Sequence, residues 1–445
     1  MSPAIPPTES ASLRVDGPDD CTASCSMALS IEDLNRGCFC LSVDPQAVHA
    51  QLDAILAADG VPASMMTSHP NLFSALPFYV SRHHLEQVAK LVNAIEAVSA
   101  TPAFQTAVMT WAPPIARFDP GSPGGLLGFD VHLGADGPRL IEINTNPGGA
   151  LLNAMLGHAQ RMCMPQLTAS PTDASRVEDQ VLDVMLTEWR LQRGGDAPLR
   201  VVAIVDTAPE EQYLYPEFVL YRELFRTHGY ESEICSPADL VYRDQRLWLN
   251  GSAVDFVYNR MTDFSFEYPT SEPLRTAYLN NAVVVSPHPR AHAMYADKRN
   301  LSLLCDRNFL LTTGLDQPTV DILLSAVPTT IQVTPTNRDA MWERRRQLFF
   351  KPAAGYGSKA SYRGDKVTHR VWDQIRQGEY VAQEIVRPSE RHVATKSNPL
   401  KVDLRSYAYR GEVLLYAARM YQGQTTNFRT PRGGFAPVLT AKHVL

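Results

Sequence analysis

At 445 residues, with 44% hydrophobic and 20% charged residues, the chain is long enough to bury two or three packed units rather than one. Its formal net charge of −6 leaves no surplus of Lys and Arg, which argues against a general affinity for nucleic acid or for an anionic membrane surface. The longest apolar runs, such as Val201–Val205, fall far short of the roughly 20 residues that a membrane-spanning helix needs.

Residues 1–45 read as a mobile tail. The first 28 mix Pro, Ser, Thr and Asp without a basic start or an apolar segment, so a secretory signal is not expected and the reading is cytoplasmic. Seven cysteines is an odd count. Cys163, Cys235 and Cys305 stand singly, as reduced core thiols do, and the CxxxC and CxC spacings of Cys21, Cys25, Cys38 and Cys40 match no standard zinc site. Between Ser81 and Val98, Leu85, Val88, Leu91, Val92, Ile95 and Val98 recur at three and four, one face of a helix. A second helical pattern runs from about Ala174 to Leu191, and the polar stretch 192–198 then marks a boundary near residue 195. Beyond it, strands at 199–206, 254–259 and 282–285 alternate with a helix at 216–228, the pattern of an α/β unit with a parallel sheet. Asn250-Gly251 supplies a two-residue hairpin turn inside that unit. From about 296 to the end, strands are expected to dominate. The expected organisation is therefore a tail over 1–45, a helical segment with a carboxylate hairpin over 46–195, an α/β unit over 196–295 and a third unit over 296–445.

The strongest chemical signal is Phe129-Asp-Val-His-Leu-Gly-Ala-Asp-Gly-Pro-Arg-Leu-Ile-Glu-Ile-Asn-Thr-Asn-Pro-Gly-Gly149. A three-residue turn at Ala135-Asp136-Gly137 pairs Gly134 with Pro138, a register that puts Asp130 opposite Glu142. Side chains alternate along a strand, so Glu142 and Asn144 share a face; two carboxylates and an amide oxygen then converge as hard ligands suited to Mg²⁺. A second signal is a strand delivering Lys351 into a loop with Gly355 and Gly357, where lysine supplies charge and glycine N–H groups can close over phosphate. It is not a Walker loop, because GxxxxGK[ST] is absent. Third, Glu379–Glu390 reads as a strand and connector able to offer backbone hydrogen bonds to a base and the Glu390 carboxylate to a ribose. Fourth, 401–410 and 414–420 alternate as a hairpin about Gly411, from which Arg405 and Arg419 project as rigidly placed guanidinium groups.

Together these segments resemble the ATP-grasp superfamily, over most of the chain from about residue 125 onward. In familiar members the lysines come first and the Asp…Glu-x-Asn metal motif last; here the metal motif comes first. That order, with an α/β unit between metal motif and lysines, is similar to eukaryotic glutathione synthetase and related bacterial permuted ATP-grasp proteins. The implied fold class is α/β, a circularly permuted ATP-grasp with an inserted α/β pre-ATP-grasp-like domain. The resemblance implies ATP and Mg²⁺ as cofactors, with Asp130, Glu142 and Asn144 holding the metal and Lys298 and Lys351 the phosphates. It assigns Gly355, Gly357 and Ser358 to the phosphate loop, Gln383 and Glu384 to the base N6, the Val386 N–H to N1, and Glu390 to the ribose. Arg405 and Arg419 take the catalytic charge; Arg260, Asn427 and Arg429 fall to the substrate.

One departure is that glutathione synthetase carries a further metal-binding Glu shortly after the second lysine, where this chain has Ala353-Ala-Gly-Tyr-Gly357. Glutathione itself is therefore not implied. The implied activity is carboxylate–amine ligation through an acyl phosphate, with an amino acid, short peptide or polyamine among the substrates; neither nucleic acid nor membrane is expected as a partner, and a homodimer is an allowed assembly. Two alternatives stand beside it. One is a nucleotide-binding sensor or partner protein that does not turn its ligand over. The other is an NAD-dependent oxidoreductase built on the strand at 201–206, disfavoured by the glycine-free turn Thr207-Ala-Pro-Glu-Glu-Gln212 where a pyrophosphate would sit.

Overall fold

Ser81 accepts a hydrogen bond from the His84 N–H at 3.1 Å and starts a helix over Arg82–Ser99. Its apolar face, Leu85 through Val98, is buried against the largest sheet of the protein. The structure is a computed structural model that describes residues 30–58, 60–61, 64–160, 168–355, 360–394 and 398–441. Cys21, Cys25, Cys163, Gly357 and Ser358 lie outside those residues.

The large sheet runs in the order Phe78–Tyr79, Gly434–Ala441, Glu412–Tyr421, Leu400–Tyr409, Leu127–Gly134, Gly137–Asn144, with Ser389–Arg391 and Thr168–Ala169 attached at its flanks. Apart from the parallel contact of Phe78–Tyr79, its pairings are antiparallel. This layout brings two hairpins, 127–144 and 400–421, side by side.

A separate sheet of four parallel strands has the order Val284–Ser286, Phe256–Asn259, Val201–Val205, Glu231–Cys235. Helices Ala174–Arg193 and Tyr215–Thr227 cover one face and Glu272–Leu279 the other. With both faces covered, Val201–Val205 is apolar along its whole length rather than alternating. At the Asn250-Gly251 turn both residues take positive φ, 49° and 88°, as a two-residue hairpin requires. The third unit is a small antiparallel sheet, Thr330–Gln332, Tyr380–Glu384, Leu348–Pro352 and Tyr362–Arg363, backed by Trp372 and Ile375 of the helix His369–Gln377.

Two expectations are corrected. The tail expected over 1–45 is structured from Ser30 onward: Ser30 caps a helix over Ile31–Gly37, and Leu34, Cys38 and Cys40 are buried with Tyr79 and Leu439. The reason is Arg391, fully buried, which donates to the carbonyls of Pro77, Asn35 and Cys38 and so fastens this segment to the sheet. In the sequence Arg391 gave no sign of this. The stretch after 296 is also more helical than expected, because Asn300–Leu304, Arg307–Thr312 and Gln317–Ala326 bury Leu304, Leu310, Val320 and Leu323 in the core of the large sheet. Asp306 and Asp316 cap the last two of these helices.

Replacing Arg391 by Met leaves several buried carbonyls without a donor. The expected cost is about 3 kcal/mol or more in urea unfolding, with faster amide exchange over 31–37. A loss below about 1 kcal/mol would show that the segment is held by its apolar contacts instead.

Candidate active site

The register of the two hairpins builds the site. Asp130 lies opposite Glu142 on one side and opposite Arg405 on the other. On the next strand Asp403 lies opposite Arg419. The expected pairing of Gly134 with Pro138 is corrected: Gly134 pairs with Gly137, and Ile141 is bulged out between Leu140 and Glu142, which restores Asp130 to its place opposite Glu142. The bulge frees the Ile141 carbonyl, and the Lys351 ammonium donates to it at 2.8 Å.

These groups form one network. Arg405 grips Asp130 with two hydrogen bonds of 2.6 Å each, and Arg419 donates to the same carboxylate at 2.7 Å. The Asn144 amide bridges the carboxylates, 3.1 Å from Asp130 and 3.3 Å from Glu142. Asp403 accepts from Tyr421 at 3.0 Å and from Thr426, and its partner across the sheet is His132 at 2.8 Å, whose other ring nitrogen lies 3.2 Å from the Val386 carbonyl oxygen. Burial opposes the ionised form of Glu142, yet Lys298, Lys351, Arg419 and Arg405 overcome it and hold the carboxyl down to about 2. Asp403, also opposed by burial, is held at about 2 by His132, Arg419 and Thr426. Four basic side chains thus surround three carboxylates, leaving the site net positive and suited to a polyanion.

The cleft above this floor has a volume of about 1260 Å³. Asp130, Glu142, Asn144, Lys298, Lys351 and Gly355 line it together with Gln383, Glu384, Val386 and Glu390, and Arg419 and Asp403 border it as well. Lys298 donates to the Gly355 carbonyl at 2.7 Å, tying the loop down over the cleft. The Val386 N–H has no partner among the described residues.

The path of the chain through these sheets is shared with a known structure. A glutathione synthetase-like effector from Globodera pallida, in its apo form, superposes with a TM-score of 0.50 and 12% identity over 89% of this chain and 97% of that one. This chain has the ATP-grasp fold. A protein from Methylobacillus flagellatus KT, provisionally named a gamma-glutamylcysteine synthetase, aligns at TM-score 0.46 and 12% identity, covering 78% of this chain and 86% of that one. The ATP-grasp ligase PsnB, complexed with a phosphomimetic variant of a minimal precursor, Mg and ADP, aligns at TM-score 0.31 and 12% identity over 56% of this chain and 92% of its own. No family model matches the sequence, and no curated protein does.

Within this ATP-grasp fold some residues stand where the sequence implied, and others do different work. The Gln383 side chain is committed elsewhere, accepting from Lys351 at 2.8 Å and donating to Thr330 at 3.3 Å, so it orients the lysine rather than facing a base. Arg405 is buried beneath Asp130. Asn427 closes its own loop through Gln422, Thr425 and Thr430, and Arg429 is exposed; neither lines the cleft. Arg260 lies beyond the Gly148-Gly149 turn, beside Glu217. Among the described residues no three His, Cys, Asp or Glu side chains converge on one point as a metal site, which includes Cys38 and Cys40. Asp403 and His132 are the residues the sequence reading passed over. The available signal was period two: Asp403 shares a strand face with Arg405, and His132 with Asp130.

Burial pushes the Lys351 ammonium down to about 8, with Lys298 adding to the shift and Glu142 and Asp130 opposing it. A value of about 8 leaves the ammonium charged at pH 7, and because it lies below that of an unfolded lysine the proton is lost as pH rises through 8. ATP affinity by calorimetry is therefore expected to fall about tenfold between pH 7 and 9.5, and Lys351→Arg, charged throughout, should remove that step. A pH-independent affinity in the unsubstituted protein would take Lys351 away from the phosphates.

Proposed function

We propose that the chain is an ATP- and magnesium-dependent carboxylate–amine ligase of the circularly permuted ATP-grasp kind, acting through an acyl phosphate. The observation that carries this reading is Glu142, an ionised carboxylate on the cleft floor encircled by two lysines and two arginines and joined to Asp130 through Asn144. Such a cluster is costly to hold in a fold that does not use it. Two carboxylates converging on one amide are hard oxygen donors that fit magnesium, with its other positions left to phosphate and water. Bound there, magnesium would supply neutralisation of phosphate charge.

The chain's own residues do the rest by placement. Lys298 and Lys351 meet phosphate charge, the Val386 N–H, without a partner among the described residues, is open to a base edge, and the Glu390 carboxylate, exposed at the cleft, is available to ribose hydroxyls. A substrate carboxylate oxygen attacks the γ-phosphorus and ADP departs. The amine then attacks the acyl carbon, loses its proton, and expels phosphate. No nucleophile from the protein is required; positioning and charge cancellation carry the rate. The permuted reading rests on chain order, since the carboxylate hairpin at 127–144 precedes Lys298 and Lys351 with the parallel sheet between them.

Incubation with Mg-ATP and a panel of amino acids, short peptides and polyamines should yield ADP together with a new C–N bond by mass spectrometry. Glu142→Gln and Asn144→Asp are each expected to lower that turnover by at least about two orders of magnitude, with the unfolding midpoint retained. Full activity in either variant removes the site, and ATP binding without turnover across the whole panel would favour the sensor reading.

A further inference from the structure

The groups assigned to a nucleotide lie on two separately built parts of the fold. Asp130, Glu142 and Asn144 belong to the hairpin 127–144 of the large sheet, whereas Val386 follows the strand Tyr380–Glu384 of the small sheet, on the connector that leads to Ser389–Arg391. A ligand held at its base by one part and at its phosphates by the other gains from both only when the protein keeps the two at a fixed separation. The lysine contacts do not supply this once phosphate is present. The bonds of Lys351 to the Ile141 carbonyl at 2.8 Å and of Lys298 to the Gly355 carbonyl at 2.7 Å use the same ammonium groups that phosphate claims.

We propose that His132 is the positioning residue that sets this separation, by tying the connector at Val386 to the carboxylate floor around Asp130. The inference rests on the ATP-dependent reading above and adds to it a role that neither the metal ligands nor the lysines fill.

His132 shares a strand face with Asp130 and is buried. Its Nδ1 lies 3.2 Å from the carbonyl oxygen of Val386, the residue whose N–H has no partner among the described residues. Its Nε2 lies 2.8 Å from Oδ1 of Asp403. The other oxygen of Asp403 lies 3.4 Å from Nη2 of Arg419, and that same nitrogen donates to Asp130 at 2.7 Å. Val386 is therefore joined to Asp130 through His132, Asp403 and Arg419 without a break. Asp403 also accepts from Tyr421 at 3.0 Å and from Thr426, so the carboxylate is held from several directions and cannot follow a moving ring.

The side chain suits the task because imidazole carries its two nitrogens on a rigid ring, pointing in diverging directions. The spacing between the connector and Asp403 is then fixed by the ring itself, whereas a lysine or arginine would reach Asp403 on a flexible stem and leave the Val386 carbonyl to itself. A second tie runs parallel to the first. The Ser389 hydroxyl accepts from the Leu133 N–H at 3.1 Å and donates to the Leu133 carbonyl at 3.3 Å, which pins the same connector to the residue after His132.

Comparing the whole nucleotide with its two fragments tests this role. Affinities for Mg-ATP, adenosine and Mg-tripolyphosphate are measured by calorimetry on the full chain and on His132→Phe, which keeps a flat ring and removes both nitrogens. Mg-ATP should bind at least about tenfold more weakly to the variant while each fragment stays within about twofold, because a loosened separation costs only the ligand that spans it. Ser389→Ala breaks the parallel tie more mildly and should show the same pattern at smaller amplitude, which decides the matter if the buried ring cannot be replaced without loss of the fold. An unchanged Mg-ATP affinity in both variants overturns the proposal. So does a loss for either fragment as large as the loss for Mg-ATP, since His132 would then support one site alone. Failure of the unsubstituted chain to bind Mg-ATP would overturn the ligase reading and this inference together, whereas the other two results strike the inference alone.

Discussion

The interaction on which the cleft depends is the burial of Asp130 and Asp403 in ion pairs with Arg405 and Arg419, with Glu142 held ionised beside them. Removing ions from water costs several kcal/mol each, and the cost is offset only when every member has its partners in place. Asp130 is 1% exposed and is gripped by Arg405 and Arg419 together; Asp403 is 5% exposed and holds His132, Tyr421 and Thr426. Such a network is close to all-or-none. It also locks the sheet register, because a slip of one residue in the strand Leu400–Tyr409 would turn Asp403 and Arg405 to the opposite face.

That lock explains why the lysines arrive where they do. The bulge at Ile141 interrupts the ladder beside Glu142 and presents a free carbonyl to Lys351, while Gln383 holds the same ammonium from the small sheet. Two sheets from distant parts of the chain thus meet on one amine. Lys298, fixed through its backbone N–H to the Ala353 carbonyl and through its ammonium to Gly355, ties the loop after the Lys351 strand to the helical segment before it. The cleft is pre-shaped for a polyanion, and the present contacts of both lysines are ones that phosphate oxygens can replace.

What could be read from the sequence was whatever local periodicity encodes. Asp130, Glu142 and Asn144 were legible because a turn signal and alternation suffice to put them on one face. The forecast reached the right Asp130–Glu142 pairing through the wrong turn register, rescued by a bulge that no residue type announced. The helix at 82–99, the parallel strands and the Asn250-Gly251 hairpin were equally legible from periodicity and turn chemistry. Contacts between distant segments were not. Arg391 fastening 31–40, Gln383 turning to Lys351, and Glu217 capping the helix Ala150–His158 all depend on packing that one sequence does not display. The role of His132 was equally hidden, because its partner Asp403 lies 271 positions away.

The central claim is that a carboxylate oxygen attacks the γ-phosphate of ATP over this floor of carboxylates and cations. The most direct measurement is turnover with substrate labelled with ¹⁸O in the carboxylate, followed by mass spectrometry of the released phosphate. One labelled oxygen per phosphate is the result this account predicts, since the acyl phosphate hands that oxygen over when the amine displaces it. Retention of all label in the product, or its appearance in AMP, would contradict the acyl-phosphate route and point to a kinase or an adenylating enzyme instead.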